Sequence, residues 1–262
     1  MAVMRSSNRN HSFLKRLRNI YAFLEDSRNR KWNREFQQKE FRLVLGGCQS
    51  ANQRLSKLLH QIANTQARPS IDRLAEFWKS HEGYRGKTLH EFNNYLNKFS
   101  DPSKYKQCDD PWNRLFYGLR GQGGWGDKTS ALFVKSAIQI HRGPEDLHFF
   151  EEAAGCAQKK IGAPIFLPVD AVISYIFQRL EFESPTTFKA INYFLHQEGY
   201  DAEAMITWDD LWFWGFFTQR TDGRKRTLEW NSEKFWAQFS SPKKDEPEVK
   251  KRAEKFIGLI EV

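Results

Sequence analysis

Cysteine is scarce in this chain. Cys48, Cys108 and Cys156 are the only three in 262 residues, and they are widely spaced. Three thiols hold neither a four-cysteine iron–sulfur cluster nor a zinc ribbon, and so few suit an intracellular reducing compartment better than a disulfide scaffold. Long apolar runs are missing too. None approaches the ~20 residues a membrane span requires, and no apolar core with a cleavage site opens the N-terminus, so neither a membrane anchor nor secretion is expected. Alternating strand patterns are absent, and residues 161–169, the best extended stretch, are broken by Pro164 and Pro168. The seven histidines show no metal-ligand spacing. No His-x-Glu is followed by Cys-x-x-Cys, as zinc deaminases require, and no Gly-x-Ser-x-Gly elbow of a serine hydrolase occurs. No metal and no other cofactor is expected.

What the chain has in quantity is aromatic mass and positive charge. Its 22 Phe, 9 Trp and 8 Tyr exclude a disordered tail protein, and the length is enough to bury a substantial core. The net charge of +9 is unevenly placed: residues 1–42 hold 11 Lys and Arg against 4 Asp and Glu, and residues 220–226 hold 4 against 1. The middle, 43–219, is nearly neutral, with 19 basic and 20 acidic residues. Basic arms around a neutral middle point to a polyanion, with nucleic acid first and anionic membrane second, or else to solubility alone.

Periodicity is helical almost throughout. Apolar positions recur at three and four residues from Phe41 to Leu45 and from Leu55 to Ile62, and again after Ser70 with Leu74, Phe77 and Trp78. Thr88 to Phe99 reads as a further helix. Ser184-Pro185 supplies a cap and a first-turn proline for a helix that Gly199 stops. Thr207-Trp208-Asp209-Asp210 has capping-box character ahead of an aromatic helix, Leu211 to Gln219. These signals predict an all-α fold, with a basic helical arm at 1–38, a main domain at 39–240 and a charged C-terminal helix at 241–262.

The most informative segment is Gly118-Leu-Arg-Gly-Gln-Gly-Gly-Trp-Gly-Asp-Lys-Thr-Ser-Ala131. A short apolar helix, Trp112 to Leu119, enters it and a longer one, Asp127 to His141, leaves. Gly121, Gly123, Gly124 and Gly126 permit a tight turn and close approach of another chain, while the next helix offers free amides and a positive dipole end to a phosphate, with Thr129 in its first turn. A nucleotide-binding P-loop does not fit, because Asp127 intrudes before Lys128 and no buried strand precedes the glycines.

The segment resembles the hairpin of the helix-hairpin-helix DNA glycosylase superfamily, which runs Gly-x-Gly-x-Lys in members that also cleave the strand. Gly124-Trp125-Gly126-Asp127-Lys128 matches that pattern. The resemblance implies that Lys128 is the amine nucleophile. It also implies a catalytic aspartate downstream, often within Pro-Val-Asp in the 8-oxoguanine branch, and Pro168-Val169-Asp170 stands there. Leu43 to Arg54 looks like the early helix pair of endonuclease III relatives, in which a glutamine enters the gap left by an extruded base; Gln49 matches it, and a surface glutamine at a turn is the plain alternative. The likeness covers roughly residues 40–220. Gln122-Gly123 replaces the usual leucine-proline opening, the 42 residues from Lys128 to Asp170 exceed the usual gap, and residues 142–163 read as an insertion, with Pro144-Glu-Asp-Leu starting an extra helix.

The fold implied is two helical subdomains flanking an active-site cleft, and the activity implied is excision of an oxidised or modified purine of the 8-oxoguanine type with lyase chemistry. The partner would be duplex DNA with an extruded base, bound by a monomer without an iron–sulfur cluster, in a nucleoid-associated cytoplasmic setting. Departure of a base leaves positive charge on the sugar, which the Asp170 carboxylate would stabilise. An Asp directly before a helix is equally an ordinary N-cap, and one carboxylate can do both. The first turn of a helix favours a neutral amine, as attack by Lys128 requires. The extruded base needs a pocket. Asp210, Trp212 and Trp214 on the aromatic helix are candidates, although such density also builds cores. Gly223-Arg-Lys-Arg226 is a solvated loop or a phosphate contact. Two alternatives stand beside the glycosylase: a hairpin module that only grips DNA phosphates, and a relative acting on an unusual modified base in antiviral defence.

Overall fold

Helix signals in the sequence translate closely into elements. The computed structural model describes residues 2–100, 108–222, 225–239 and 242–261, with side chains from residue 12 onward. The helices are α1 (Ala2–Glu25), α2 (Ser27–Leu45), α3 (Ala51–Ala63), α4 (Ile71–His81), α5 (Leu89–Phe99), α6 (Pro111–Arg120) and α7 (Asp127–His141). They continue with α8 (Ala153–Gln158), α9 (Ala171–Arg179), α10 (Phe188–Gln197), α11 (Ala202–Trp208), α12 (Asp210–Phe217), α13 (Ser232–Gln238) and α14 (Pro242–Ile260). The protein is all-α apart from one small hairpin. Among the described residues no helix is long and apolar enough to cross a membrane.

The chain divides into two units. The first comprises Met1–Phe36, Val169–Leu195 and Thr207–Val262, and the second Gln37–Pro168 and His196–Ile206. In the first, α1 buries Phe13, Leu17, Ile20 and Leu24 at three- and four-residue spacing, and α14 answers with Val249, Ala253, Phe256 and Ile260. Phe23 packs its ring edge-on to Trp214 at 5.2 Å and tilted on Phe256 at 5.5 Å. The segments expected as a basic arm, 1–38, and a charged C-terminal helix, 241–262, each contribute an apolar stripe, on α1 and α14, to the core of this unit. Their high charge masked an apolar stripe one residue in three or four wide.

In the second unit α7 is the central helix. It buries Ala131, Phe133, Val134, Ala137, Ile138 and Ile140 on several sides, against α3, α6 and α8. The expected insertion 142–163 holds a 3₁₀ turn, Glu145–Leu147, and α8. Its Phe149 and Phe150 are buried beside His141.

Three local expectations are corrected. The helix after Ser184-Pro185 starts at Phe188, and Thr187 is the residue whose side chain receives the Ala190 amide, at 3.3 Å. Thr207 and Trp208 end α11, and Asp209 makes no side-chain cap for α12. Residues around 220–226 form an antiparallel hairpin, β1 (Gln219–Asp222) with β2 (Lys225–Leu228), pairing Gln219 with Leu228 and Asp222 with Lys225. Gly223 and Arg224 of the expected loop lie outside the described residues. The hairpin is tied down by Gln219, whose Nε2 donates to the Val172 carbonyl at 3.1 Å, and by Tyr175, whose hydroxyl donates to the Arg226 carbonyl at 2.7 Å.

Candidate functional site

The glycine-rich hairpin stands where the sequence puts it, between α6 and α7. α6 is started by Asp110, whose carboxylate accepts the Trp112 and Asn113 amides, with Pro111 in the first turn. Gln122 is buried inside the turn and donates to the carbonyls of Leu96 and Gly118, both at 2.9 Å. Trp125 is buried against Phe77 and Phe133. Arg120, in the last turn of α6, forms an ion pair with Asp127, which opens α7. Each charge sits at the helix end whose dipole favours it, so the pair closes the hairpin and answers the carboxylate that ruled out a P-loop.

The four glycines have unequal reasons. A Cβ on Gly121 would meet Ser100 Oγ at 2.7 Å, one on Gly123 the Arg73 carbonyl at 3.1 Å, and one on Gly124 the Leu74 side chain at 2.6 Å. Gly124 also has φ +81°, in the left-handed region. Packing within the unit therefore explains these three. Gly126 differs: it is exposed, extended, and a Cβ there would meet nothing. It is the N-cap residue of α7, and its amide donates to Thr129 Oγ1 at 3.0 Å. Thr129 is buried and its hydroxyl is taken up by this cap, so it serves the helix start and not a phosphate. The amides that follow Gly126 have no partner within the helix, as at the start of any α-helix.

Lys128 lies in the first turn of α7, half-buried. Its Nζ is 3.4 Å from the carbonyl of Thr65, and the neighbouring Gln66 donates to the Gly124 carbonyl at 3.0 Å. The α3–α4 connection thus braces both the hairpin and its lysine. Gln49 is exposed in the turn between α2 and α3, next to the N-cap Ser50, and its amide donates to Gln53 Oε1 at 2.7 Å.

Lys128, the glycines and Gln49 belong to the second unit, whereas Asp170, Asp210, Trp212 and Trp214 belong to the first. Asp170 is the N-cap of α9. Its Oδ1 accepts the amides of Val172 and Ile173 at 2.8 and 3.0 Å, and its Oδ2 accepts Trp212 Nε1 at 3.1 Å. Trp212 stacks on Phe216 with centroids 4.9 Å apart. α9 and α12 come close because Gly215 faces Val172 and Ile176, where a Cβ would stand only 2.6 Å from Val172 Cγ1. The indole expected in a base pocket is thus the side chain that orients the carboxylate.

Two pocket candidates are corrected. Trp214 is fully buried among Phe23, Phe213 and Phe256, so it presents no face for a base. Asp210 is buried too, bound by Asn33 Nδ2 at 2.5 Å and faced by Arg30 Nε at 3.7 Å. It fastens α2 to α12. Four residues apart, the two side chains share a face of α12, and that face is the core.

No family model, curated protein or solved structure matches the chain. Among the described residues no group of three or more His, Cys, Asp or Glu is placed to hold a metal ion, and Cys48, Cys108 and Cys156 are not joined by disulfides. What the sequence did not reveal is the Asp170–Trp212 contact, since helix periodicity relates near neighbours and does not pair residues 42 positions apart.

Proposed function

We propose that the chain is a helix-hairpin-helix DNA glycosylase with lyase activity, excising an oxidised or modified purine of the 8-oxoguanine type. The observation that carries this reading is the helix–glycine hairpin–helix element itself, with Lys128 in the first turn of α7 beside the exposed, sterically open Gly126. That element offers a phosphate unpaired amides and holds an amine next to them. In the proposed reaction Lys128 Nζ attacks the anomeric carbon of the nucleotide. The glycosidic bond breaks with its electron pair leaving on the base, which takes up a proton. Stabilising the positive charge that develops on the sugar is the role the resemblance implies for the Asp170 carboxylate. The attached sugar opens to a Schiff base, loses a proton from the adjacent carbon, and expels the 3′-phosphate, cutting the strand.

Borohydride reduction of the Schiff base gives the test. Wild-type protein incubated with a duplex containing 8-oxoguanine or another modified purine, then reduced, should yield a covalent adduct that vanishes in Lys128→Ala. Absence of an adduct with every such duplex would sink the lyase proposal. A second reading, a hairpin module that binds DNA without chemistry, is favoured by one contact: Lys128 Nζ lies within reach of the Thr65 carbonyl, a structural use for the amine. Binding with a steep salt dependence and no adduct would select it.

A further inference from the structure

A groove of about 670 Å³ opens within the second unit, along one face of α3 and the C-terminal end of α4. The reaction proposed above makes no use of it. Gln53, Ser56, Lys57 and His60 line it from α3, and His81, Glu82 and Arg85 from the end of α4 and beyond. Its chemistry combines three things. His60 is exposed and stacks flat on Trp78, with centroids 3.5 Å apart and an interplanar angle of 8°, so one ring face is covered and the other is free. Lys57 and Arg85 are both exposed, against the single carboxylate of Glu82. Arg85 is held in place by Nη1 donating to the carbonyls of Glu82 and Tyr84, each at 2.7 Å.

The third element is His81, which is 6% exposed and lies between the rings of Phe77 and Tyr84. Its Nε2 is 3.4 Å from Ser56 Oγ, and its buried Nδ1 has no hydrogen-bond partner. A buried polar atom without a partner is costly, and natural sites of this kind mark a ligand or a function. The surplus positive charge acts on both imidazoles. Burial first, then Lys57, holds His60 below its ordinary value; burial first, then His60 and Arg85, pushes His81 down to about 4. With Lys57 and Arg85 against the single Glu82 in its lining, the groove carries a surplus of positive charge that favours an anion.

We propose that this groove is a nucleotide site, with a nucleobase stacked on the free face of His60, its edge read by Ser56 and Gln53, and its phosphate held by Lys57 and Arg85. Stacking platforms beside cations are the usual means of binding single nucleotides, because every base offers a π-face. The ligand is a nucleoside phosphate, either free or as an unpaired residue of a strand. This site is separate from Lys128 and does not depend on its chemistry.

Histidine ring resonances of selectively labelled protein provide the readout. AMP or a short oligodeoxyadenylate, added to millimolar level, should shift the His60 and His81 signals saturably and leave the buried His141 in place. Saturation by AMP identifies a free nucleotide, and saturation by the oligomer alone identifies a strand; either supports the site. The Lys57→Ala/Arg85→Ala double variant removes two exposed side chains and should weaken binding tenfold or more. Lys128→Ala should bind as wild type does, which separates this proposal from the glycosylase reading. The site is overturned if neither ligand moves these signals, if inorganic phosphate moves them as much as AMP does, or if the double variant binds unchanged.

Discussion

Asp170 has two oxygens with different occupations: Oδ1 holds two backbone amides of α9, and Oδ2 holds a single indole N–H. That division separates its structural duty from its proposed chemical one. Asparagine caps helices about as well as aspartate does, whereas alanine at such a position costs about 0.5–2 kcal/mol. Asp170→Asn keeps the cap through Oδ1 but sets an amide N–H against the Trp212 indole N–H, so it should melt a few degrees below wild type by circular dichroism, while its borohydride-trapped product falls by at least tenfold. A trapped yield equal to wild type would leave Asp170 a cap and nothing more. Gly126 permits a similar separation. Gly126→Ala meets no neighbour and should cost at most about 1 kcal/mol as an N-cap change, yet it should weaken DNA binding measured by anisotropy, because a methyl group would stand beside the amides proposed to meet a phosphate. Gly124→Ala must instead adopt φ +81° and displace Leu74, so its thermal melt should drop before any binding is lost.

At the scale of elements, the sequence made the hairpin and its flanking helices plain. Asp110-Pro111 starts α6, four closely spaced glycines end it, and Asp127 starts α7, so local chemistry alone fixes that element. Thr88 with Glu91 is a complete capping box and fixes α5 in the same way. Less legible were contacts that join distant segments. Trp212 was assigned to a pocket because its partner, Asp170, sits on another helix, and the close approach that joins them depends on Gly215, an unremarked glycine in an aromatic run. Trp214 and Asp210 were misplaced for a different reason. An indole and a carboxylate on one helix face describe a binding pocket and a buried tie equally well until Phe23, Asn33 and Arg30 from α1 and α2 are seen against them. The β1–β2 hairpin escaped notice because its four-residue strands are mostly polar and are secured by side chains from α9, not by an apolar face.

For the whole molecule, charge and buried titratable groups set the behaviour. Much of the positive charge near the N-terminus is engaged at home: Arg16 donates to the Leu180 carbonyl, Arg28 pairs with Asp26, Arg30 faces Asp210, and Lys31 pairs with Glu248. These four cations of the first 42 residues have partners within the first unit. Acid sensitivity follows from two histidines of the second unit. Burial pushes His81 down to about 4 and, with the charge of His148 adding to it, His141 to about 3, from an ordinary 6.5. Since the folded values are lowered, the unfolded chain binds more protons below pH 6.5, and stability falls with falling pH. The loss begins near pH 6.5 and levels off near pH 4 for His81 and pH 3 for His141. Its slope is about 1.4 kcal/mol per pH unit for each histidine. Urea midpoints of wild type and His141→Phe between pH 7 and pH 4 check this, and the variant should show the shallower decline.

The pairing of α1 with α14 also governs the order in which structure is won. Those helices lie at opposite ends of a 262-residue chain, so the first unit's core closes a loop of more than 200 residues. The second unit is built largely from neighbours in sequence, α5 on α6 and α6 on α7. Contacts between near neighbours form fast and those between distant segments slowly. On a ribosome, therefore, the hairpin-bearing unit has all but its last short segment while α1 still waits, its apolar stripe uncovered, for a partner helix more than 200 residues downstream. Phe13, Leu17, Ile20 and Leu24 form that stripe, and Lys15, Arg16 and Arg18 interleave it with like charge, which disfavours association of such a surface with copies of itself.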